Sequence, residues 1–148
     1  MDDDLVDAFY QRDINRMKEL IAAGADVNAL DGDEMQSALL HSAAYFGFTD
    51  RARLLIEAGA DLNIENIGKY TPLHIAVQNG SIEIAAMLVD AGADVEARCD
   101  DEEAPTVYDK AQGDEMKSLI GSAIADRIKR RILNELPAVE CGGRNRKM

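Results

Sequence analysis

Apolar residues recur along this chain in short blocks, each closed by a glycine and set apart from the next by a polar stretch. Inside the longer blocks the apolar positions step by three and four. Ala52, Leu55 and Ile56 form one such face and Ile84, Met87, Leu88 and Ala91 another, which predicts amphipathic helices over 49–58 and 82–91. The shorter blocks 38–44 and 72–77 predict companion helices, and Pro72 falls at a first helical turn, where its missing N–H costs little. Gly47 and Gly80 stop the short helices, and Gly59 and Gly92 stop the long ones. Residues 4–10 and 15–23 read as one more pair. Beyond Gly113, the series Met116, Leu119, Ile120, Ala123, Ile124, Ile128 and Ile132 predicts a single long helix that ends near Leu136, before Pro137. Arg127, Lys129, Arg130 and Arg131 lie toward its end and suit the negative pole of its dipole, so this helix is expected to cap the structure.

The blocks are copies of one unit. Gly24-Ala25-Asp26-Val27-Asn28, Gly59-Ala60-Asp61-Leu62-Asn63 and Gly92-Ala93-Asp94-Val95-Glu96 repeat a single motif, and the same 33-residue step separates His41 from His74 and Gly47 from Gly80. The first two copies stand 35 apart, which places two inserted residues around Asp31 to Gln36, a polar stretch where a loop grows cheaply. A lone helix pair buries too little apolar surface to be stable, so stacking of neighbouring units creates the core.

The block Thr71-Pro72-Leu73-His74-Ile75-Ala76, followed by Gly80 and Gly92-Ala93-Asp94-Val95, resembles the ankyrin repeat. The resemblance covers residues 5 to about 113 and implies an all-α solenoid of stacked helix-turn-helix units. β-turn or hairpin loops would join the units, and a long helix would cap the C-terminal end. The implied units are an N-terminal cap at 1–29, repeats at 30–64 and 65–97, and a C-terminal cap at 98–136. A basic tail at 137–148 is expected to be flexible. The second unit has Ala38-Leu39 for Thr-Pro but keeps His41. Gly68 falls one position earlier than the family's loop glycine, which puts that loop tip in question. Thr106 to Ala111 read as a divergent last repeat, with two residues inserted in Cys99 to Ala104 and two deleted before Gly113.

Composition narrows the function. The chain has 148 residues with a net charge of -12, carried by 8 Lys and Arg against 23 Asp and Glu up to Gly113 and by 8 against 5 after it. An acidic body repels nucleic acid and anionic lipid and speeds encounter with a basic protein. No apolar run is long enough to span a membrane, and Met1-Asp2-Asp3-Asp4 does not resemble a secretory signal, so the cytoplasm is the expected compartment. Cys99 and Cys141 lie far apart and outside any metal-ligand spacing, which leaves two reduced thiols as the expectation.

Candidate chemistry is sparse. The resemblance makes His41 and His74 structural residues that hydrogen-bond backbone between units. No nucleophile elbow, phosphate-cradling loop or HExxH is present, and the acidic clusters Asp31, Asp33, Glu34 and Asp100 to Glu103 lack the ligand alternation of a calcium loop. No catalytic residue, metal or cofactor is therefore assigned. An enzyme, or a metal or small-ligand site built from the acidic loop tips, is the alternative.

The main expectation is a non-catalytic protein-binding module, monomeric when free, whose partner presents a basic surface. In ankyrin arrays the loop tips and the ends of the short helices line one concave face. By position these residues are Tyr10, Gln11, Tyr45, Phe46, Gln78 and Asn79 at the helix ends, and Glu34, Met35, Ser37, Ile67 and Tyr70 in the loops. The carboxylates around Asp31 to Glu34, with Asp100, Asp101, Glu102 and Glu103, form the acidic rim. Four of seven aromatic residues then share one surface, as interface anchors do. An inhibitor, an antidote or an adaptor would each work this way, by occupying a target.

Overall fold

The computed structural model describes residues 2–103 and 105–135. Eight helices and no strand are present among them: α1 Asp2–Tyr10, α2 Ile14–Ala22, α3 Leu39–Phe46, α4 Thr49–Glu57, α5 Pro72–Gln78, α6 Ile82–Asp90, α7 Val107–Lys110 and α8 Asp114–Glu135. Each pair packs as an antiparallel hairpin, α3 against α5 and α5 against α7 form the inner row, and α4 against α6 and α6 against α8 form the outer row. Buried Ala43, Ala44, Ala52, Ala76 and Ala85 let these helices approach closely, while Leu39, Leu55, Leu73, Ile84 and Leu88 fill the space between them. The expected all-α repeat stack is what the chain forms.

The loops join the units edge to edge. Asp31 N–H donates to the Ser37 carbonyl, Asn66 N–H to Tyr70 and Cys99 N–H to Pro105, closing three hairpin-like fingers. The outer two fingers are each two residues longer than the middle one, which is where both insertions were expected. Successive fingers are bonded through Ile67 N–H to Met35 O and Asp100 N–H to Gly68 O. On the opposite edge, Asn28 Oδ1 accepts the Asp61 N–H and Asn63 Oδ1 accepts the Asp94 N–H, both at 2.7 Å. Glu96 stands where a third asparagine would be, and its carboxylate instead meets Arg127 and Arg131 of α8 at 3.1 Å.

The loop tip in question is resolved, and two expectations about α8 need correction. The middle finger's left-handed residue is Lys69 (φ 59°), as Gln36 (φ 53°) is in the preceding finger, so the tip does not need Gly68 for its φ. A Cβ at position 68 would stand 2.7 Å from the Tyr70 ring, so a larger residue there requires that ring to shift. The basic residues of α8 do not serve its C-terminal pole: its last turn holds none, and Arg127 reaches sideways to Asp94 and Glu96. Finally, the stripe of α8 is covered only through its first half. Met116 and Ile120 are buried, whereas Ile128 and Ile132 are exposed, because the 22 residues of α8 span about 33 Å while the nine of α6 beside it span only about 14 Å and the four of α7 still less. Leu136, Pro137, Cys141 and the basic tail lie outside the described residues.

The two histidines are buried and capped alike. His41 Nδ1 accepts the Ala38 N–H at 3.1 Å and His74 Nδ1 accepts the Thr71 N–H at 3.2 Å, which leaves the proton on Nε2 in each ring. His41 Nε2 then donates to the Tyr70 carbonyl of the next unit at 2.8 Å. His74 breaks the expectation, since its Nε2 is buried without a hydrogen-bond partner, the carbonyls of Pro105 and Ala97 lying nearby but outside bonding geometry. Burial pushes both imidazoles below their ordinary value, opposed at His41 by the Tyr70 carbonyl and the Asp33 and Asp31 charges.

The sign for stability follows. Below about pH 6.5 the unfolded chain takes up protons that the folded histidines refuse, so unfolding becomes easier as pH falls through that value. At the limit each histidine contributes a slope of about 1.4 kcal/mol per pH unit, lost again below its folded pKa. Thermal unfolding should therefore show a falling Tm between pH 7.5 and 5.5, flattened in a His41→Gln/His74→Gln variant. Parallel profiles for parent and variant would assign the acid sensitivity elsewhere. The Asp33 carboxyl does not act in this window: burial raises its pKa but bonds from the Ser37 N–H and hydroxyl outweigh that and lower it, so its contribution disappears only at more acid pH.

Candidate protein-binding face

One groove of about 380 Å³ opens on the inner face between the first two fingers and the ends of α1, α3 and α5. It collects Tyr10, Met35, Ser37, Tyr45, Phe46, Tyr70 and Gln78, seven of the positions named from the sequence. Tyr45 is 61% and Phe46 53% exposed, so neither is packed away between repeats. The other named positions lie outside the groove. Gln11 and Asn79 are exposed at helix ends, and Glu34 and Ile67 are exposed in the fingers. In the last finger Asp100 pairs with Lys69 at 3.1 Å and Asp101 with the buried Lys110, while Glu102 and Glu103 face solvent.

Helix geometry explains the convergence. Tyr10 and Gln78 close α1 and α5, Tyr45 holds the equivalent repeat position one residue before the end of α3, and the chain then turns through a left-handed residue. That residue is Gly47 (φ 73°) in the second unit and Arg12 (φ 63°) in the first. The turn leaves the helix-end side chains pointing past the backbone toward the fingers. Their rings form a connected cluster: Tyr45 meets Phe46 edge-on at 5.0 Å, Phe46 stacks on Phe48 at 5.2 Å, and Tyr10 meets Phe46 at 6.4 Å. Below them the Arg51 guanidinium lies 3.3 Å from the Phe48 ring centre and donates to the Phe9 carbonyl at 2.7 Å.

Asp31 and Asp33, part of the acidic stretch that the sequence placed at this face, form the polar floor of the groove. Asp31 Oδ2 accepts the Tyr10 hydroxyl at 3.0 Å and also the Ser42 hydroxyl. Asp33 Oδ1 accepts the Ser37 N–H at 2.7 Å, as Asn66 accepts the Tyr70 N–H at 3.1 Å in the next unit. Asp33 and Asn66 are 33 apart, so the repeat register itself carried that signal. Asp31 opens its finger as Asn66 and Cys99 open theirs, but neither of those positions carries a carboxylate. Burial raises the Tyr10 phenol pKa, and the Asp31 and Asp33 charges add to the rise against the Ser42 contact. The phenol therefore stays protonated and donates at neutral pH. No three His, Cys, Asp or Glu residues converge in a metal-holding arrangement among the described residues. Among the same residues no helix is long and apolar enough to cross a membrane.

The family description "Ankyrin repeats (3 copies)" matches residues 5–99, and the chain belongs to that family. Proteins of this class are generally non-catalytic modules for protein–protein interaction. The chain is similar to the Neurogenic locus Notch protein of Drosophila melanogaster, 43% identical over 61 residues, or 41% of this chain and 2% of that protein. It is similar to the E3 ubiquitin-protein ligase KEG of Arabidopsis thaliana, 40% identical over 58 residues, or 39% of this chain and 4% of that one. A third relative is the rat Arf-GAP with coiled-coil, ANK repeat and PH domain-containing protein 2, 35% identical over 69 residues, or 47% of this chain and 9% of that one. The chain thus spans less than a tenth of each of these proteins.

Proposed function

We propose that the acidic, aromatic inner face binds a protein with a basic surface, and that the chain acts by occupying that target as an inhibitor, antidote or adaptor. The observation that carries this reading is the groove, where Tyr10, Tyr45, Phe46 and Tyr70 come together over the carboxylates of Asp31 and Asp33. Large, half-exposed rings beside charge supply both the desolvated anchors and the steering that such interfaces use. The free chain is read as a monomer that works in the cytoplasm.

A Tyr45→Ala/Phe46→Ala/Tyr70→Ala variant tests the face. Two of the three side chains are mostly solvent-exposed, so the variant should keep the parent's helical circular dichroism. Native capture at low and high salt, read by mass spectrometry, should show a basic protein held by the parent, weakened by salt and absent from the variant. Loss of two or three interface anchors removes about 2 kcal/mol or more each, enough to abolish capture. Retention of the same protein by the folded variant would place binding on another surface.

A further inference from the structure

The carboxylates of the groove differ from those of the last repeat. Asp94, Glu96, Asp100 and Asp101 are each paired with a lysine or arginine of this chain. Asp31 and Asp33 have no such pairing among the described residues, and their hydrogen bonds come from neutral hydroxyls and backbone amides. Two anionic groups therefore face an aromatic-walled cavity with their charge uncompensated. We propose that this groove seats one arginine side chain from an extended segment of the basic partner, its guanidinium against the rings and facing Asp31 and Asp33. The inference rests on the reading above that this face binds a basic protein.

Arginine fits the site better than lysine for two reasons. Asp31 Oδ2 already accepts two hydroxyls, so the open acceptor positions are spread over Asp31 Oδ1 and Asp33. A planar fork of donors spans two such acceptors, whereas an ammonium is a compact point charge. The guanidinium also stacks on rings as it bonds, and this aromatic cluster already holds one in that way, Arg51 over Phe48.

The test is an NMR titration of the whole ¹⁵N-labelled chain with N-acetyl-arginine methylamide and with its lysine and citrulline counterparts. Citrulline keeps the shape of arginine and removes the charge. Arginine should shift the amides of Ser37, Ser42 and Tyr45, with about fivefold weaker binding by lysine and about tenfold or weaker by citrulline. An Asp31→Asn/Asp33→Asn variant should lose the response, and the citrulline comparison holds even if that variant folds poorly. Equal binding of citrulline, binding of lysine as tight as arginine, shifts confined to another surface, or no shift at all would each overturn the assignment. The two readings fail separately. If capture depends on Tyr45, Phe46 and Tyr70 while arginine leaves the groove unmoved, the face stands and the arginine seat falls. If arginine binds while the triple variant captures normally, the groove takes a guanidinium, but the captured protein docks elsewhere and the seat is not filled by that partner.

Discussion

Leu88→Ala is expected to lower the unfolding free energy by about 2–5 kcal/mol, a large part of the roughly 5–15 kcal/mol that holds a domain of this size. Leu88 is fully buried on α6, the helix that packs against α4, α5 and α8. Removing its side chain leaves a cavity at the junction of two interfaces, and the rigid helices around it collapse only in part. In a stack whose units are stabilised by their neighbours, weakening an interior unit also weakens those on either side. Urea unfolding followed by circular dichroism measures the loss. Leu133→Ala is the control, since Leu133 is 58% exposed on the overhanging half of α8 and should change stability by less than about 0.5 kcal/mol. Equal midpoints for Leu88→Ala and the parent would mean that the face of α6 bearing Leu88 is not the one in the core.

That test rests on a register already legible in the sequence, and the reason is physical. A repeat writes the same burial pattern several times, so Leu55 and Leu88 support each other's assignment in a way that a single amphipathic helix cannot. The same redundancy located both loop insertions and the short last unit, where Thr106 caps α7 and Asp109 takes the place of the histidine by accepting the Thr106 N–H at 3.2 Å. Legibility ends where repetition ends. The stripe from Met116 to Ile132 is continuous, and nothing in its period tells that the neighbouring helices are too short to cover Ile128 and Ile132. Arg127 and Arg131 looked like dipole partners because the pull of Glu96 depends on a tertiary approach 31 to 35 residues away.

The groove shows the same division. That Tyr10, Tyr45 and Gln78 line it was legible because they hold equivalent positions at or next to helix ends, and that Met35 and Tyr70 do because they belong to the fingers. The acidic rim of the last finger was placed beside them by charge alone, but Asp100 and Asp101 turn to Lys69 and Lys110. Asp31 entered only as part of an acidic stretch, because its individual role depends on Ser42, eleven residues away, and on Tyr10, twenty-one residues away. A pair of hydroxyls converging on one carboxylate is a property of the folded stack.

Arg51→Ala should cost about 2–4 kcal/mol, from the sum of a lost charge-assisted hydrogen bond and a lost ring contact in a desolvated position beneath the groove. Arg51 is only 5% exposed, and its guanidinium ties α4 to α1 across 42 residues through the Phe9 carbonyl and the rings of Phe48 and Phe9. Without it the Phe9 carbonyl keeps only the longer bond from the Arg12 amide, at 3.3 Å, and the two rings face a void. Arg51→Lys should recover part of the loss, since the stem is restored while the planar stack and the fork are not. The damage should be directional. Hydrogen exchange should accelerate more across 2–22 than across α5 and α6, because the contact removed joins the first helix pair to the rest of the stack. Tyr10 rides on that pair and carries one wall of the groove, so arginine binding should weaken in step with the exchange. A uniform rise in exchange throughout the chain would show that Arg51 supports the whole fold rather than the docking of its first unit, and unchanged arginine binding would show that the groove does not depend on that docking.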